Sequence, residues 1–154
     1  MTYADYRIKN EKEYSALPIF FAFSEKQLEE EMNKRGLTLN DTDKIYRLNN
    51  LGGFYLKSDA DVIRAFFKRD KYSELRNLME NEDGFAYEAF EYEMYNHEYP
   101  INWEGDYDVC SIFGDCEYGD GKDWVDYLRE GGYSNKVMKE FNRAAKAVRA
   151  NDCW

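Results

Sequence analysis

The sequence lacks the short motifs that identify most catalytic and cofactor-binding proteins. It contains a single histidine, His97, and its cysteines form no Cys-x-x-Cys pair, so no zinc-binding pattern is present. There is no Walker loop, no dinucleotide-binding glycine fingerprint and no Gly-x-Ser-x-Gly elbow. We therefore expect no cofactor, no metal ion and no catalytic residues of a familiar class.

Long hydrophobic runs are also missing. The longest run, Ala16 to Phe23, has 8 residues and contains Pro18, which is far short of the roughly 20 apolar residues that cross a bilayer. Near the N-terminus, Asp5 stands where a secretory signal would carry positive charge before an apolar stretch. These absences predict a soluble protein of the cytoplasm with no membrane partner.

Cysteine is too scarce for a disulfide framework. Three cysteines cannot all pair within one chain, so we expect Cys110, Cys116 and Cys153 to be thiols in a reducing compartment. The alternative is a bridge between Cys110 and Cys116, which their spacing allows but which requires an oxidising environment.

Basic residues are nearly absent from the middle of the chain. Between Glu80 and Asp126 there are 15 Asp and Glu against one base, Lys122, whereas the remaining residues carry 16 acids and 20 bases. The same segment holds 11 aromatic residues, enough ring surface to fold, so we expect an ordered acidic surface and not a disordered tail. Such a surface can repel nucleic acid or take its place in the basic groove of another protein.

The fold predicted from these patterns is α+β: one predominantly helical domain over residues 1–154 with a small antiparallel sheet. Three capping boxes start helices, at Thr2–Asp5, Ser24–Gln27 and Ser58–Asp61. The predicted helices cover residues 2–16, 24–34, a third from 58, 70–79, 84–98, 123–129 and 135–149. The residues predicted to share one apolar face of the third helix are Val62, Ile63, Phe66 and Phe67.

Short apolar runs predict the strands. Ile19–Phe23 is a candidate buried strand, and Ile45–Leu48 pairs with Phe54–Leu56 as a hairpin around the turn Asn49–Gly53, whose glycines supply positive φ. A further strand is predicted at Tyr107–Ile112, inside an otherwise loop-rich stretch from 101 to 121.

The acidic segment supplies the candidate binding residues. Glu88, Glu91 and Glu98 fall along one side of the 84–98 helix, where carboxylates three or four residues apart stand ~5–6 Å from each other. Phosphates along DNA also recur at several ångströms. The predicted partner-binding residues are Glu88, Glu91, Tyr95, Glu98, Asp106, Asp108, Asp115, Glu117 and Asp120. The alternative is a solvated face, or one neutralised by the basic last helix, where Lys139, Arg143 and Lys146 share a side.

A second interpretation is a small accessory enzyme or ligand-binding domain. It would be centred on Glu93, His97, Asp106, Asp108 and Cys110. Glu93 and His97 are four residues apart on a helix and could exchange a proton, although such a pair is more often a buried hydrogen bond. Asp106, Asp108 and Glu117 occupy positions 1, 3 and 12 of a calcium loop, but Ser111 replaces the glycine that its turn needs.

One run of the sequence resembles a known signature. The residues Asn96-His97-Glu98-Tyr99, Ile101-Asn102-Trp103 and Gly105-Asp106-Tyr107-Asp108-Val109-Cys110-Ser111, followed by Phe113-Gly114, resemble those of a small family of acidic proteins. Bacteriophages and other mobile elements of Gram-positive gut bacteria carry this family. The segments Met1–Tyr6 and Leu17–Phe23 are similar to it as well. The family has no established catalytic residues.

The resemblance implies a phage-type protein that is similar in kind to inhibitors of bacterial defence systems, including anti-CRISPR proteins. We therefore expect a non-enzymatic inhibitor in the cytoplasm of a bacterial host. Its partner would be a defence nuclease of the Cas9 kind, or another protein with a basic nucleic-acid-binding groove, and it would not bind nucleic acid itself. The expected anchoring rings at that interface are Tyr95, Tyr99, Trp103 and Tyr107.

Overall fold

The computed structural model describes residues 1–48 and 52–151. Over these residues the chain forms eight α-helices and three short strands, which confirms a predominantly helical α+β fold with a small antiparallel sheet. The helices are α1 Tyr3–Ser15, α2 Glu25–Lys34, α3 Ala60–Lys68, α4 Lys71–Asn81, α5 Phe85–Asn96, α6 Gly105–Cys110, α7 Trp124–Glu130 and α8 Asn135–Ala150. The strands are β1 Phe20–Phe21, β2 Ile45–Arg47 and β3 Gly53–Leu56.

The chain divides into two compact units. Residues 1–9 and 70–154 form what we call the helical unit, and residues 10–69 form the sheet unit. The helical unit contains 21 acidic and 11 basic residues, whereas the sheet unit contains 10 of each. The entire net charge of −10 therefore belongs to the helical unit. That the whole chain is one domain stays a prediction.

The core of the helical unit is built on α5 and α8. Phe90 and Phe141 are fully buried, with ring centroids 5.0 Å apart, and Trp124 stacks on Phe141 at 4.8 Å. The buried faces of these helices include Ala86, Ala89 and Met94 on α5 and Val137, Ala145 and Val148 on α8.

Local signals set the starts of several helices, including the predicted one at Thr2. Thr2 and Asp5 exchange two backbone-to-side-chain hydrogen bonds, of 3.1 and 3.3 Å, at the start of α1. Ser134 caps α8, and the side chain of Asp70 accepts from the amide of Ser73 at the start of α4. The capping box predicted at Ser58–Asp61 is wrong, because a 3₁₀ turn, Lys57–Asp59, precedes α3 instead.

The sheet unit has a much smaller core. Its strand order is β1-β3-β2, all antiparallel, with Ile45 opposite Leu56 and Phe20 opposite Phe54. This confirms the hairpin strands. The predicted turn residues Asn49, Asn50 and Leu51 lie outside the described residues, and Gly52 beside them has a φ of 81°.

Three predictions about local structure are wrong. Residues 107–110 belong to helix α6, not to a strand, because Gly105, Val109 and Cys110 are buried at helical spacing. The strand expected at Ile19–Phe23 shrinks to two residues, with Phe23 75% exposed. The predicted apolar face of α3 is also incorrect, since Val62 and Phe67 are more than half exposed while Ile63 is buried.

Candidate functional site

The segment that follows α5 starts with an unusual helix ending. His97 is the C-cap residue of α5, and Glu98 after it has a φ of 52°, in the left-handed region that favours glycine. The amide of Tyr99 donates to the carbonyl of Met94 at 2.9 Å, and that of Glu98 donates to Tyr95 at 3.3 Å. This is a Schellman motif with glutamate where glycine is usual, at a cost of about 1 kcal/mol.

Asn102 fixes the turn between α5 and α6. Its Nδ2 donates to the carbonyl of His97 at 3.0 Å and to Oδ2 of Asp108 at 2.9 Å. Its Oδ1 accepts from the amide of Glu104 at 3.0 Å. One amide side chain therefore ties the end of one helix to the start of the next and holds the carboxylate of Asp108 in place.

Asp106 is a structural tie of the helical unit. Its Oδ1 accepts from the hydroxyl of Tyr99 at 2.6 Å, and its Oδ2 accepts from the amide of Trp124 at 3.1 Å. Burial, and then the hydrogen bond to Asp106, raise the pKa of Tyr99. A Cβ added at Gly105 would stand 2.9 Å from Cδ2 of Tyr99, so the packing here requires glycine. Tyr99 is buried, unlike the other predicted anchoring rings.

Trp103 projects from this rigid turn. Its relative exposure is 101%, so the whole indole stands in solvent. It borders a small hollow of about 160 Å³, which we call the tryptophan hollow. The lining includes Trp103, Glu104, Asp106, Tyr107, Tyr118, Asp120, Lys122 and Tyr127. Lys122 is held by Glu130 at 2.6 Å, so its charge is already paired.

A larger hollow of about 460 Å³ lies against α1 and α5, and we call it the tyrosine hollow. Its lining is Tyr3, Arg7, Glu88, Glu91, Tyr92, Tyr95 and Asn96. The guanidinium carbon of Arg7 lies 3.6 Å from the centre of the Tyr92 ring. Arg7 of this hollow and Glu104 of the tryptophan hollow were not among the binding residues predicted from the sequence. The spacing of Tyr3, Tyr6 and Arg7 on one side of α1 was the available signal for Arg7.

The nine predicted binding residues do not share one hollow. Glu88, Glu91 and Tyr95 line the tyrosine hollow, and Asp106 and Asp120 line the tryptophan hollow. The four residues outside both linings are Glu98, Asp108, Asp115 and Glu117. In residues 1–48 and 52–151, no Lys or Arg forms an ion pair with any of the predicted carboxylates. Among the described residues, the basic side chains of α8 thus form no ion pair with these carboxylates.

Glu93 and His97 do lie together, as their spacing predicts. Glu93 is only 5% exposed, and its Oε1 accepts from the hydroxyl of Tyr3 at 2.9 Å. Nε2 of His97 lies 3.4 Å from Oε2 of Glu93, close enough for an ion pair when the ring is protonated. Burial, followed by the charge of Glu93, raises the pKa of Tyr3. The arrangement joins α1 to the end of α5.

The remaining residues of the enzyme interpretation lie elsewhere in the helical unit. Cys110 is buried, with Sγ 3.9 Å from the carbonyl of Trp124. Burial raises the pKa of the Cys110 thiol, and the nearby carboxylate of Asp106 raises it further. A thiol held protonated in this way is a poor nucleophile. Cys110 and Cys116 are free thiols, and Cys153 lies outside the described residues.

The calcium-loop reading is wrong, because Asp106 and Asp108 lie on a helix where such a loop needs a turn. Within the part of the chain that the structure describes, no group of three or more His, Cys, Asp or Glu is placed to hold a metal ion. The described helices are likewise all too short or too polar to span a bilayer.

Comparisons with other proteins identify the family. No curated protein and no solved structure matches the chain. A family match spans residues 2–110, which include the sheet unit, helices α1 to α6 and both Asn102 and Asp106. Since this match covers more than half of the chain, the protein belongs to DUF7659, a family of unknown function.

Proposed function

We propose that the protein is a non-enzymatic inhibitor of a bacterial defence enzyme that handles nucleic acid, of the Cas9 kind. It is the product of a phage or another mobile element and acts in the cytoplasm of the host. Acidic and aromatic residues of the helical unit occupy the basic groove in which the nuclease reads or holds DNA. Inhibition is therefore competition with DNA, with no chemical step.

The observation that carries this proposal is the full exposure of Trp103 on a fixed acidic turn. A fully exposed indole buries its apolar surface only when it meets a partner, and tryptophan is among the residues enriched at interface hot spots. Asn102 before it and Asp106 after it are both held by hydrogen bonds, so the ring is presented on an ordered support. Such preorganisation lowers the entropy lost on binding.

The carboxylates around Trp103 support the same conclusion. Glu104 is exposed on the adjoining turn, and Asp115 and Glu117 are exposed further along the helical unit. Because no Lys or Arg forms an ion pair with these three carboxylates among the described residues, their field is available to a cationic groove. The helical unit as a whole carries the net charge of −10.

The test is DNA cleavage by a panel of guide-loaded Cas9-type nucleases with increasing amounts of protein. Two variants with matched chemistry are compared. The helical-unit variant carries Glu98→Gln, Glu104→Gln, Asp115→Asn and Glu117→Gln, and the sheet-unit variant carries Glu11→Gln, Glu29→Gln, Glu30→Gln and Asp43→Asn. All eight positions are exposed. Each variant loses four negative charges, so a difference between them reports position and not total charge.

We expect inhibition of at least one nuclease by the wild-type protein and the sheet-unit variant. The helical-unit variant and Trp103→Ala should each weaken it by roughly tenfold or more. Inhibition should also fall steeply as salt rises. Absence of inhibition across the panel, or equal inhibition by the two four-residue variants, contradicts the proposal.

A further inference from the structure

The tyrosine hollow has a lining suited to a cation. The rings of Tyr92 and Tyr95 are each 38% exposed, so they keep open faces. Glu88 and Glu91 stand beside them on the same helix. The only cation in the lining is Arg7, so two carboxylates face one guanidinium and the hollow is negative overall. Its volume of about 460 Å³ lies within the ~300–1,000 Å³ range of ligand-binding clefts.

Arg7 already demonstrates which group these rings accept. Its guanidinium stacks on Tyr92 at 3.6 Å and lies 5.7 Å from the ring of Tyr3. Within the described residues, Nε of Arg7 is buried without a hydrogen-bond partner, and the rings of Tyr3 and Tyr92 contact its guanidinium. A planar, delocalised and weakly hydrated cation is therefore stable against this surface.

Glu91 and Tyr95 are the lining residues that we expect an incoming ligand to contact. They are one helical turn apart, so their side chains are neighbours on α5. The hydroxyl of Tyr95 accepts from Nδ2 of Asn151 at 3.2 Å, which fixes the ring. Glu88 is already engaged, since its Oε1 accepts from the amide of Ala4 at 3.1 Å. The hydroxyl of Tyr87 also hydrogen-bonds to Glu91, and the carboxylate keeps further lone pairs with which to meet an incoming cation.

We propose that the tyrosine hollow receives one arginine side chain from the basic groove of the partner. This inference rests on the proposed function and adds a definite contact to it. The guanidinium stacks on Tyr95 and forms a charge-assisted hydrogen bond to Glu91. Arginine is favoured over lysine, because an ammonium is more strongly hydrated and cannot stack through a planar face.

The test uses a small probe, so that no partner has to be known. N-acetyl-arginine methylamide is titrated into protein with labelled tyrosine rings and followed by NMR, and the citrulline analogue is the control of equal shape without charge. We expect saturable shifts at Tyr92 and Tyr95 with a dissociation constant in the millimolar range, as is usual for a single side chain. The citrulline analogue should cause no such shifts.

Two variants locate the site. Glu91→Gln and Tyr95→Leu should each weaken binding of the arginine probe by about tenfold. Glu29→Gln, on α2 of the sheet unit, is the matched control and should leave binding unchanged. Backbone amide spectra of all three variants establish that they remain folded, so a loss of binding reports the site alone.

Three outcomes overturn this inference: equal shifts from the arginine and citrulline probes, probe binding that Glu91→Gln leaves intact, or shifts that centre on Trp103 instead. The nuclease assay separates its failure from failure of the proposed function. If Glu91→Gln and Tyr95→Leu still inhibit the nuclease fully, the inhibitor stands without this contact. If the probe binds as expected but no nuclease is inhibited, the hollow is a guanidinium site and the proposed partner is wrong.

Discussion

The helical and sheet units differ in net charge and in the size of their buried cores. The helical unit carries the whole net charge of −10 and buries the larger aromatic core, whereas the sheet unit is neutral and its main cluster of buried side chains is Phe20, Ala22 and Phe54. Excess like charge destabilises a compact state through self-repulsion. The acidic surface therefore belongs to the unit in which the burial of aromatic rings can offset that repulsion.

A second difference concerns one backbone position. Helices α2 and α5 both end in a Schellman motif, with the amide of Leu37 bonded to Met32 in one and the amide of Tyr99 bonded to Met94 in the other. The left-handed residue is Gly36 after α2 and Gly132 after α7, which ends in the same way, but Glu98 after α5. Since glycine is the relaxed choice, Glu98 occupies a strained position, and strained residues often cluster at binding sites.

The largest difference between the two units should appear at alkaline pH. Burial raises the pKa of Tyr3, Tyr99 and Tyr133 above the ordinary 10.0, all in the helical unit. The folded state therefore keeps these protons where the unfolded state loses them. The stabilisation is complete below about pH 10 and is lost as pH rises towards the raised values. Phenolate absorbance and circular dichroism should show helix loss together with late tyrosine ionisation; ionisation of all tyrosines before any unfolding would contradict this.

Truncating the two cores should give unequal losses of stability. Phe141→Ala removes a fully buried ring that contacts Phe90, Tyr99 and Trp124, and should lower the free energy of unfolding by about 4 kcal/mol. Phe20→Ala, in the sheet unit, removes a ring stacked on Phe54 and should cost about 3 kcal/mol or less. Urea unfolding measures both. A larger loss for Phe20→Ala than for Phe141→Ala would contradict the expectation that the core of the helical unit contributes more to stability.

Neutralising Asp106 should differ from neutralising an exposed acid. Asp106→Asn replaces one of two accepting oxygens with a donor, so either the hydroxyl of Tyr99 or the amide of Trp124 loses its acceptor, at a cost of about 1–3 kcal/mol. Glu117→Gln changes the same charge at an exposed position and should stay within about 0.5 kcal/mol. Thermal unfolding of both variants tests this prediction. Equal melting temperatures would show that Asp106 does not stabilise the fold more than an exposed acid does.

The smallest effects should come from exchanging glycine at the two helix ends. Glu98→Gly relieves left-handed strain and should raise stability by roughly 0.5–1 kcal/mol, while Gly36→Ala introduces it and should lower stability by about 1 kcal/mol. If Glu98 is kept for binding, the stabilised variant should be a weaker inhibitor. A Glu98→Gly protein that is both more stable and equally inhibitory would remove the functional reason for the strain.

Local chemistry made most of the fold predictable. Thr2 with Asp5 and Ser134 mark helix starts through bonds within a few residues, and two short apolar runs around a glycine-containing turn mark a hairpin. The prediction of a strand at residues 107–112 was wrong because six residues are too few to distinguish the periodicity of a strand from that of a helix. The buried neighbours Val109 and Cys110 violate the alternation of a strand, which was the available sign.

The candidate site was less predictable, because it depends on contacts far apart in sequence. Tyr3 meets Glu93 across 90 residues, and no local pattern places Arg7 over Tyr92. The acidic residues could be named from composition, but not their division between two hollows. That Asp106 is held inside the fold, while Trp103 three residues earlier stands in solvent, is likewise decided by tertiary packing.

The most direct test of the central claim is the affinity of the protein for a guide-loaded Cas9-type nuclease that it inhibits, measured by calorimetry for the two four-residue variants. If the acidic surface of the helical unit makes the contact, that unit's variant should bind roughly tenfold or more weakly, while the sheet-unit variant stays within about twofold of wild type. Equal affinities for the two variants would contradict the account.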